Sequence, residues 1–263
     1  MTDLPRAANA GGRSVSVHLP SVHFKTLMSF NPFYEQPMTP FWVAADALRD
    51  MYDLGNGHIV QRIRRAFGFD VELEPSGCLV VSDAFRKPGN VVLHFEPGAH
   101  VAWQKQNIHP RAREVYPESL AVLQDFIRSR PGMHFMEVGK RFSGLDGVEN
   151  FTRQPLDLTI RRMAECEYFV GIVSGPLHIA AALGLRCIAV INFPAASEIC
   201  LPTLKDLDQV ESEWFYPQAT LLHQDAGSDM VPLFSSHTLA AAFDGEVYPY
   251  WSARYLPLIH EHL

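Results

Sequence analysis

A serine, a glycine, a proline and a histidine fall within five residues at Ser174, Gly175, Pro176 and His178, directly after an apolar run and before a run of alanines. Those types at that spacing suit the binding of an anion. Ser174 has the side chain of a helix N-cap, Pro176 fits a first turn where no N–H is required, and Gly184 supplies a left-handed stop. The N–H groups of Ser174, Gly175 and Leu177 then lack partners within the helix, with the positive end of the helix dipole behind them. A phosphate is the natural ligand of such a turn. Capped strand-to-helix turns also occur as plain architecture, and it is the ordered run Ser-Gly-Pro-x-His-x-Ala-Ala-Ala-x-Gly that favours binding. His178 sits one turn into the helix, near enough to lend a donor to the anion. Its rival role is a core histidine bonded to backbone.

Two strands must hold this turn. The short apolar run Tyr168 to Val173 leads into it, and a second, Cys187 to Ile191, returns after the helix. Near-continuous apolar strands joined by a helix lie parallel in a sheet covered on both faces, so the turn opens at the carboxyl edge. Further strands are predicted at Val91 to Phe95 and His134 to Val138. Helices are predicted at Pro117 to Arg128, with Leu120, Leu123, Phe126 and Ile127 as its core face, and at Asp157 to Glu165. The alternation gives an α/β chain with a Rossmann-like, doubly wound parallel sheet. The loop after the strand at Val91 carries Gly98 and Lys105 to the same edge, where a lysine acts as a point charge on phosphate. Gln104, Gln106 or simple solvation of Lys105 are the alternatives. Glu137 and Gly139 end the strand at His134, where a carboxylate accepts the ribose hydroxyls of a nucleoside.

The run from Ser174 to Gly184 is similar to the donor-binding motif of the lipopolysaccharide heptosyltransferases, glycosyltransferase family nine of the GT-B fold. Pro97-Gly98, Lys105 and Tyr116-Pro117-Glu118 fall in the family's order, and the family's Asp before Ser-Gly is Val173 here. The resemblance implies that Ser174, Gly175, Pro176, His178, Gly98 and Lys105 hold the diphosphate of an ADP-sugar or related nucleotide sugar. It implies a glycosyltransferase that passes the sugar to a glycan, a lipid-linked glycan or a protein. The nucleotide sugar is then substrate rather than cofactor. Neither cofactor nor metal is implied, because the helix terminus and Lys105 take the place of one. The family's acidic residue follows a few positions after Glu137, where this chain has Arg141 to Ser143.

Inverting sugar transfer needs a base for the acceptor and a clamp on the leaving diphosphate. The family's base is an Asp in a Gly-rich turn near its N-terminus, and no matching turn precedes His58. Asp53, His58, His94 and His100 are the nearest titratable groups, and none is assigned. His58 to Gly68 resembles the last helix of the family's first domain, so residues 1–75 are expected to form a short, irregular and helical region. Residues 76–263 are expected to form the nucleotide-sugar-binding domain with a C-terminal extension. That reduction keeps three alternatives open: a non-catalytic nucleotide-sugar-binding or assembly module, an epimerase or hydrolase, and a homodimer completing the cleft in trans.

Bulk properties set the outer limits. Of the 263 residues, 47% are hydrophobic and 19% charged, which is ordinary for a globular chain. A net charge of −7 argues against broad nucleic-acid binding. Cys78, Cys166, Cys187 and Cys200 form no Cys-x-x-Cys pair, which signals neither a zinc site nor a disulfide scaffold and fits a reducing cytoplasm. No stretch reaches membrane-spanning length, which leaves a cytoplasmic protein free to meet a lipid-borne acceptor at the periphery of the inner membrane. Residues 1–15 read as a tail and Ser14 to Leu19 as a strand. Loop is predicted onward past Pro20, Pro32, Pro37 and Pro40, with helices from Thr39 to Met51 and His58 to Phe67. Beyond Ala196, loops and one or two helices are expected.

Overall fold

The computed structural model describes residues 22–32, 34, 78–96, 115–172, 174–191, 216, 219–224 and 234–245, with isolated positions 9, 10 and 61. The predicted strand at Ser14 to Leu19 and the helices from Thr39 and His58 lie outside the described residues, apart from Gln61. Among the described residues, six strands form one sheet: β1 Asn90–His94, β2 His134–Glu137, β3 Val148–Asn150, β4 Tyr168–Ile172, β5 Arg186–Ile191 and β6 Thr220–His223. Five helices accompany them among those residues: α1 Val22–Ser29, α2 Pro117–Ser129, α3 Leu156–Ala164, α4 Gly175–Ala182 and α5 Ser236–Asp244. Every pairing is parallel and the spatial order is β3-β2-β1-β4-β5-β6. This is the α/β, Rossmann-like, doubly wound sheet expected from the alternation of elements.

Strand pleating explains the core. Successive side chains point to opposite faces, so in β1 Val92 faces one layer while Val91 and Leu93 face the other. The register Val91↔Tyr168 and Val91↔Phe135 puts like-facing residues in rows across the sheet. One layer gathers Phe169, Cys187 and Ala189 with the buried faces of α3 and α4. The other gathers Val170, Ile188 and Val190 with Leu123, Phe126 and Ile127 of α2 and Leu239, Ala242 and Phe243 of α5. The order reverses after β3: the chain steps from β1 out to β3, then crosses back to lay β4 on β1's other side. Because parallel crossovers are right-handed, reversing direction moves the covering helices to the opposite face. That is the division observed between α2 on one side and α3 and α4 on the other.

The structure adds elements that the sequence reading omits. The prolines after Pro20 predict loop, yet α1 fills the proline-free stretch before Pro32 with about two turns. It buries Met28, with Phe30 following, and the Phe30 carbonyl accepts from Val80 N–H at 2.7 Å. Prolines bound this helix rather than forbidding it. The edge strands β3 and β6 have three and four residues, too short for an alternating pattern to register. The helix α5 falls where one or two helices are expected beyond Ala196, and it is started by a capping box, with the Ser235 side chain accepting from Thr238 N–H. Among the described residues no helix is long and apolar enough to cross a membrane.

Candidate functional site

The turn from β4 into α4 is where the chemistry-bearing residues of the sequence meet the sheet. Ser174 is the N-cap of α4 by backbone, with φ −160° and ψ 173°, and Pro176 lies in the first turn. The Ser174 hydroxyl does not accept from the helix, contrary to the expected cap. It donates to the Ile172 carbonyl at 3.1 Å instead. The result is that first-turn N–H groups stay without a side-chain cap, which suits an external anion better than a closed cap would. A Cβ placed on Gly175 would meet nothing within 4 Å among the described residues, so a side chain fits there without collision.

The far end of α4 is firmly closed. Gly184, at φ 75°, donates to the Ala181 carbonyl, and Leu185 N–H reaches the Ala180 carbonyl, the pairing of a Schellman stop. Arg86 adds its guanidinium, with Nη2 donating to the Leu183 carbonyl at 2.8 Å and Nη1 to that of Gly184 at 3.1 Å. Leu79 N–H binds the Ala182 carbonyl. The helix is therefore anchored at its negative end and, among the described residues, carries no side-chain cap at its positive one. His178 lies half-buried in the second turn, its Nδ1 3.1 Å from the Tyr216 hydroxyl and its ring edge-on to that tyrosine. That partner is a side chain from the C-terminal part of the chain.

Beside this turn stand the ends of β1 and β2. Register pairs His94 with Gly171, and a Cβ at Gly171 would collide with the His94 carbonyl oxygen, so glycine permits this close approach. His94 is buried, and its Nδ1–H donates to the Val138 carbonyl at 3.0 Å. Burial pushes its pKa below the usual 6.5, against the opposing pull of that bond and of the Glu96 charge. Glu96 accepts from Lys140 N–H at 2.6 Å. Glu137 is 2% exposed, and its Oε2 accepts both the N–H and the hydroxyl of Ser143, at 3.0 and 2.5 Å. Burial raises its pKa, the Ser143 bonds lower it and the nearby Glu96 charge raises it again. The carboxylate expected to meet a ribose thus fastens the turn after its own strand. Gly139, at φ 130°, lies so close over His94 that a Cβ there would sit 3.0 Å from Nδ1.

Further along the edge, a cleft of about 360 Å³ is lined by Lys140, Phe142, Asn150, Thr152, Arg153 and Gln154. The sequence marks the Gly-rich turn but gives no sign of this cleft, because it forms only when β3 pairs with β2. Gly98 and Lys105 lie outside the described residues. Of the remaining site residues, the structure brings Ser174, Gly175, Pro176 and His178 together at one turn, and Glu137 and Gly139 at the next strand end but one. Among the described residues no group of three or more His, Cys, Asp or Glu is arranged to hold a metal. Cys166 and Cys187 are buried thiols pushed up to about 12 by desolvation and carry no reactivity.

No family model matches the sequence, and no curated protein matches it. Solved structures do match its fold. The Escherichia coli ADP-heptose lipopolysaccharide heptosyltransferase II superposes with a TM-score of 0.57 at 12% identity, over 93% of this chain and 94% of that one. E. coli heptosyltransferase WaaC with ADP gives 0.47 at 14% identity, over 81% and 60%. The iron-containing dodecameric glycosyltransferase TibC of enterotoxigenic E. coli gives 0.49 at 15% identity, over 83% and 58%. This chain spans about three fifths of the length of the latter two. The match to heptosyltransferase II shows a heptosyltransferase-like fold of the GT-B class, and at such identity it shows the fold alone.

Proposed function

We propose that the chain is a glycosyltransferase that binds the diphosphate of a nucleotide sugar at the turn between β4 and α4 and passes the sugar to an acceptor hydroxyl. The observation that carries this reading is position: the open turn lies where the strand order reverses, between β1 and β4. In open parallel sheets that is where the two neighbouring loops diverge and leave a crevice for a ligand. The N–H groups of Gly175 and Leu177 meet the phosphate oxygens, with the α4 dipole behind them, and Pro176 shapes the first turn. His178, held by Tyr216, adds a donor from the second turn. Gly98 and Lys105 follow β1 in the sequence; in this reading the lysine supplies charge and the glycine close approach. Glu137 and Gly139 act one layer back, fixing the turn over which the nucleoside lies.

In the transfer, the acceptor oxygen bonds to the anomeric carbon as the bond from that carbon to the diphosphate oxygen breaks. The electron pair leaves with the nucleoside diphosphate, and the acceptor proton passes to a base. The helix terminus stabilises the charge that gathers on the leaving group, which is stronger in the transition state than before it. The nucleotide sugar is substrate, and the acceptor is a glycan, a lipid-linked glycan or a protein. The heptosyltransferase-like fold supports this reading, which places the chain in the cytoplasm, where nucleotide sugars would be met.

Gly175→Asp tests it. A carboxylate in the first turn favours the helix itself, yet it sets a negative charge in the phosphate's place. Calorimetric titration with nucleoside diphosphates is expected to show at least tenfold weaker binding with the melting temperature kept. Unchanged affinity would remove the turn from the binding site.

A further inference from the structure

The cleft at the ends of β2 and β3 has features that phosphate binding at Ser174 does not use. Arg153 holds φ at 61°, the single non-glycine with positive φ among the described residues. A long side chain gains nothing locally from left-handed backbone, unlike Asn or Asp, so surrounding structure must impose it. Two bonds do so: Arg153 N–H donates to the Gly139 carbonyl at 2.7 Å, and Nε donates to the Lys140 carbonyl at 3.0 Å. They fix both the backbone and the root of the guanidinium. The two Nη groups, which bond nothing among the described residues, remain as a fixed pair of donors lining the cleft.

The rest of the lining has the same polarity. Asn150 uses its Oδ1 on the N–H and hydroxyl of Thr152, at 3.1 and 2.8 Å, which leaves its amide N–H₂ for any ligand. Lys140 adds an ammonium that forms no ion pair among the described residues. Phe142, 36% exposed, offers a ring face on which a planar group can stack. A planar ligand rich in acceptors along one edge matches this set. β3 lies three strand spacings from β4, roughly 14 Å. An extended nucleotide with its phosphates at Ser174 can cover that span, its ribose crossing the ends of β1 and β2.

Resting on the nucleotide-sugar reading above, we infer that this cleft receives the donor's base and selects guanine over adenine through the Arg153 fork. Guanine presents O6 and N7 as adjacent acceptors, which a guanidinium meets with two bonds. Adenine keeps N7 but replaces O6 by an amino donor, which faces the guanidinium unpaired. Uracil offers no adjacent acceptor pair and engages half of the fork.

Titration calorimetry of the full chain with ADP, GDP, IDP and UDP is the test. GDP and IDP, which share the O6 and N7 edge, are expected to bind at least tenfold tighter than ADP or UDP. Arg153→Gly relieves the left-handed backbone and removes the fork. It is expected to keep or raise the melting temperature and to bring GDP down to the affinity of ADP. Arg153→Lys keeps the charge without the fork and is expected to lose most of the preference as well. Equal affinity for ADP and GDP, or a preference for ADP or UDP, would overturn the base assignment and leave the diphosphate site standing. So would an Arg153→Gly variant that still prefers GDP. Absence of binding by all four diphosphates would overturn the nucleotide reading itself, and this inference with it.

Discussion

Two turns on the same edge of one sheet are built in opposite ways. After β4, the first turn of α4 has no side-chain cap among the described residues: Ser174 turns its hydroxyl back to Ile172, and a Cβ on Gly175 would meet no described atom within 4 Å. After β2, the turn is fastened by the protein's own groups. Glu137 holds Ser143, Glu96 holds Lys140 N–H and His94 holds the Val138 carbonyl. The difference shows that a polar backbone at a sheet edge has two outcomes. It is satisfied by the protein's own side chains, or it is left without a side-chain cap, as a ligand would require.

Substitutions at glycine separate the two turns, and the largest effect is expected where they touch. Gly171→Ala drives a Cβ into the His94 carbonyl oxygen, backbone against backbone, and should cost about 3 kcal/mol in chemical denaturation. A loss below roughly 1 kcal/mol would mean that β1 and β4 separate easily at their ends. Gly139→Ala meets both an unfavourable φ and the His94 ring, and about 2 kcal/mol of destabilisation is expected. Gly175→Ala is the counterpart in the open turn. With nothing near its Cβ, stability should stay level or rise by up to about 1 kcal/mol. If Gly139→Ala and Gly175→Ala proved equally costly, the contrast between a closed and an open turn would be gone.

A smaller effect concerns pH. Glu137 has its pKa raised in the fold, so the folded state holds a proton that the unfolded state releases above about 4.5. Its contribution is fully present below that pH and is lost as pH rises through the raised value. His94, with a lowered pKa, acts in the opposite sense: its contribution is present above 6.5 and declines as pH falls toward the folded value. In Glu137→Gln, where the amide oxygen can still accept from Ser143, stability measured against pH should lose the decline above 4.5 and keep the His94 limb. A profile identical to the parent's would show that Glu137 titrates as it does in solution.

The β4–α4–β5 unit was readable because its instructions are consecutive. Pro176 in the first turn, the alanine run and Gly184 at φ 75° act within a few residues of one another, and two apolar strands bracket them. Even here local logic reached its limit at the Ser174 side chain. Both the capping bond and the bond to Ile172 were chemically available to it. Glu137 shows a related limit: a carboxylate at a strand end suits a ribose as well as it suits Ser143, and nothing in the sequence ranks them.

From the chain alone come the alternation of strand and helix, the parallel sheet it requires and the start and stop of the helix after Ser174, because periodicity and chain-terminating residues are local properties. Tertiary structure alone decided that β4 returns to lie beside β1, which sets the reversal of strand order at that edge. It alone brought Tyr216 to His178, and β3 against β2 to shape the cleft around Arg153. Those contacts join residues far apart in sequence, and strands of three or four residues are stable only through the neighbours they pair with.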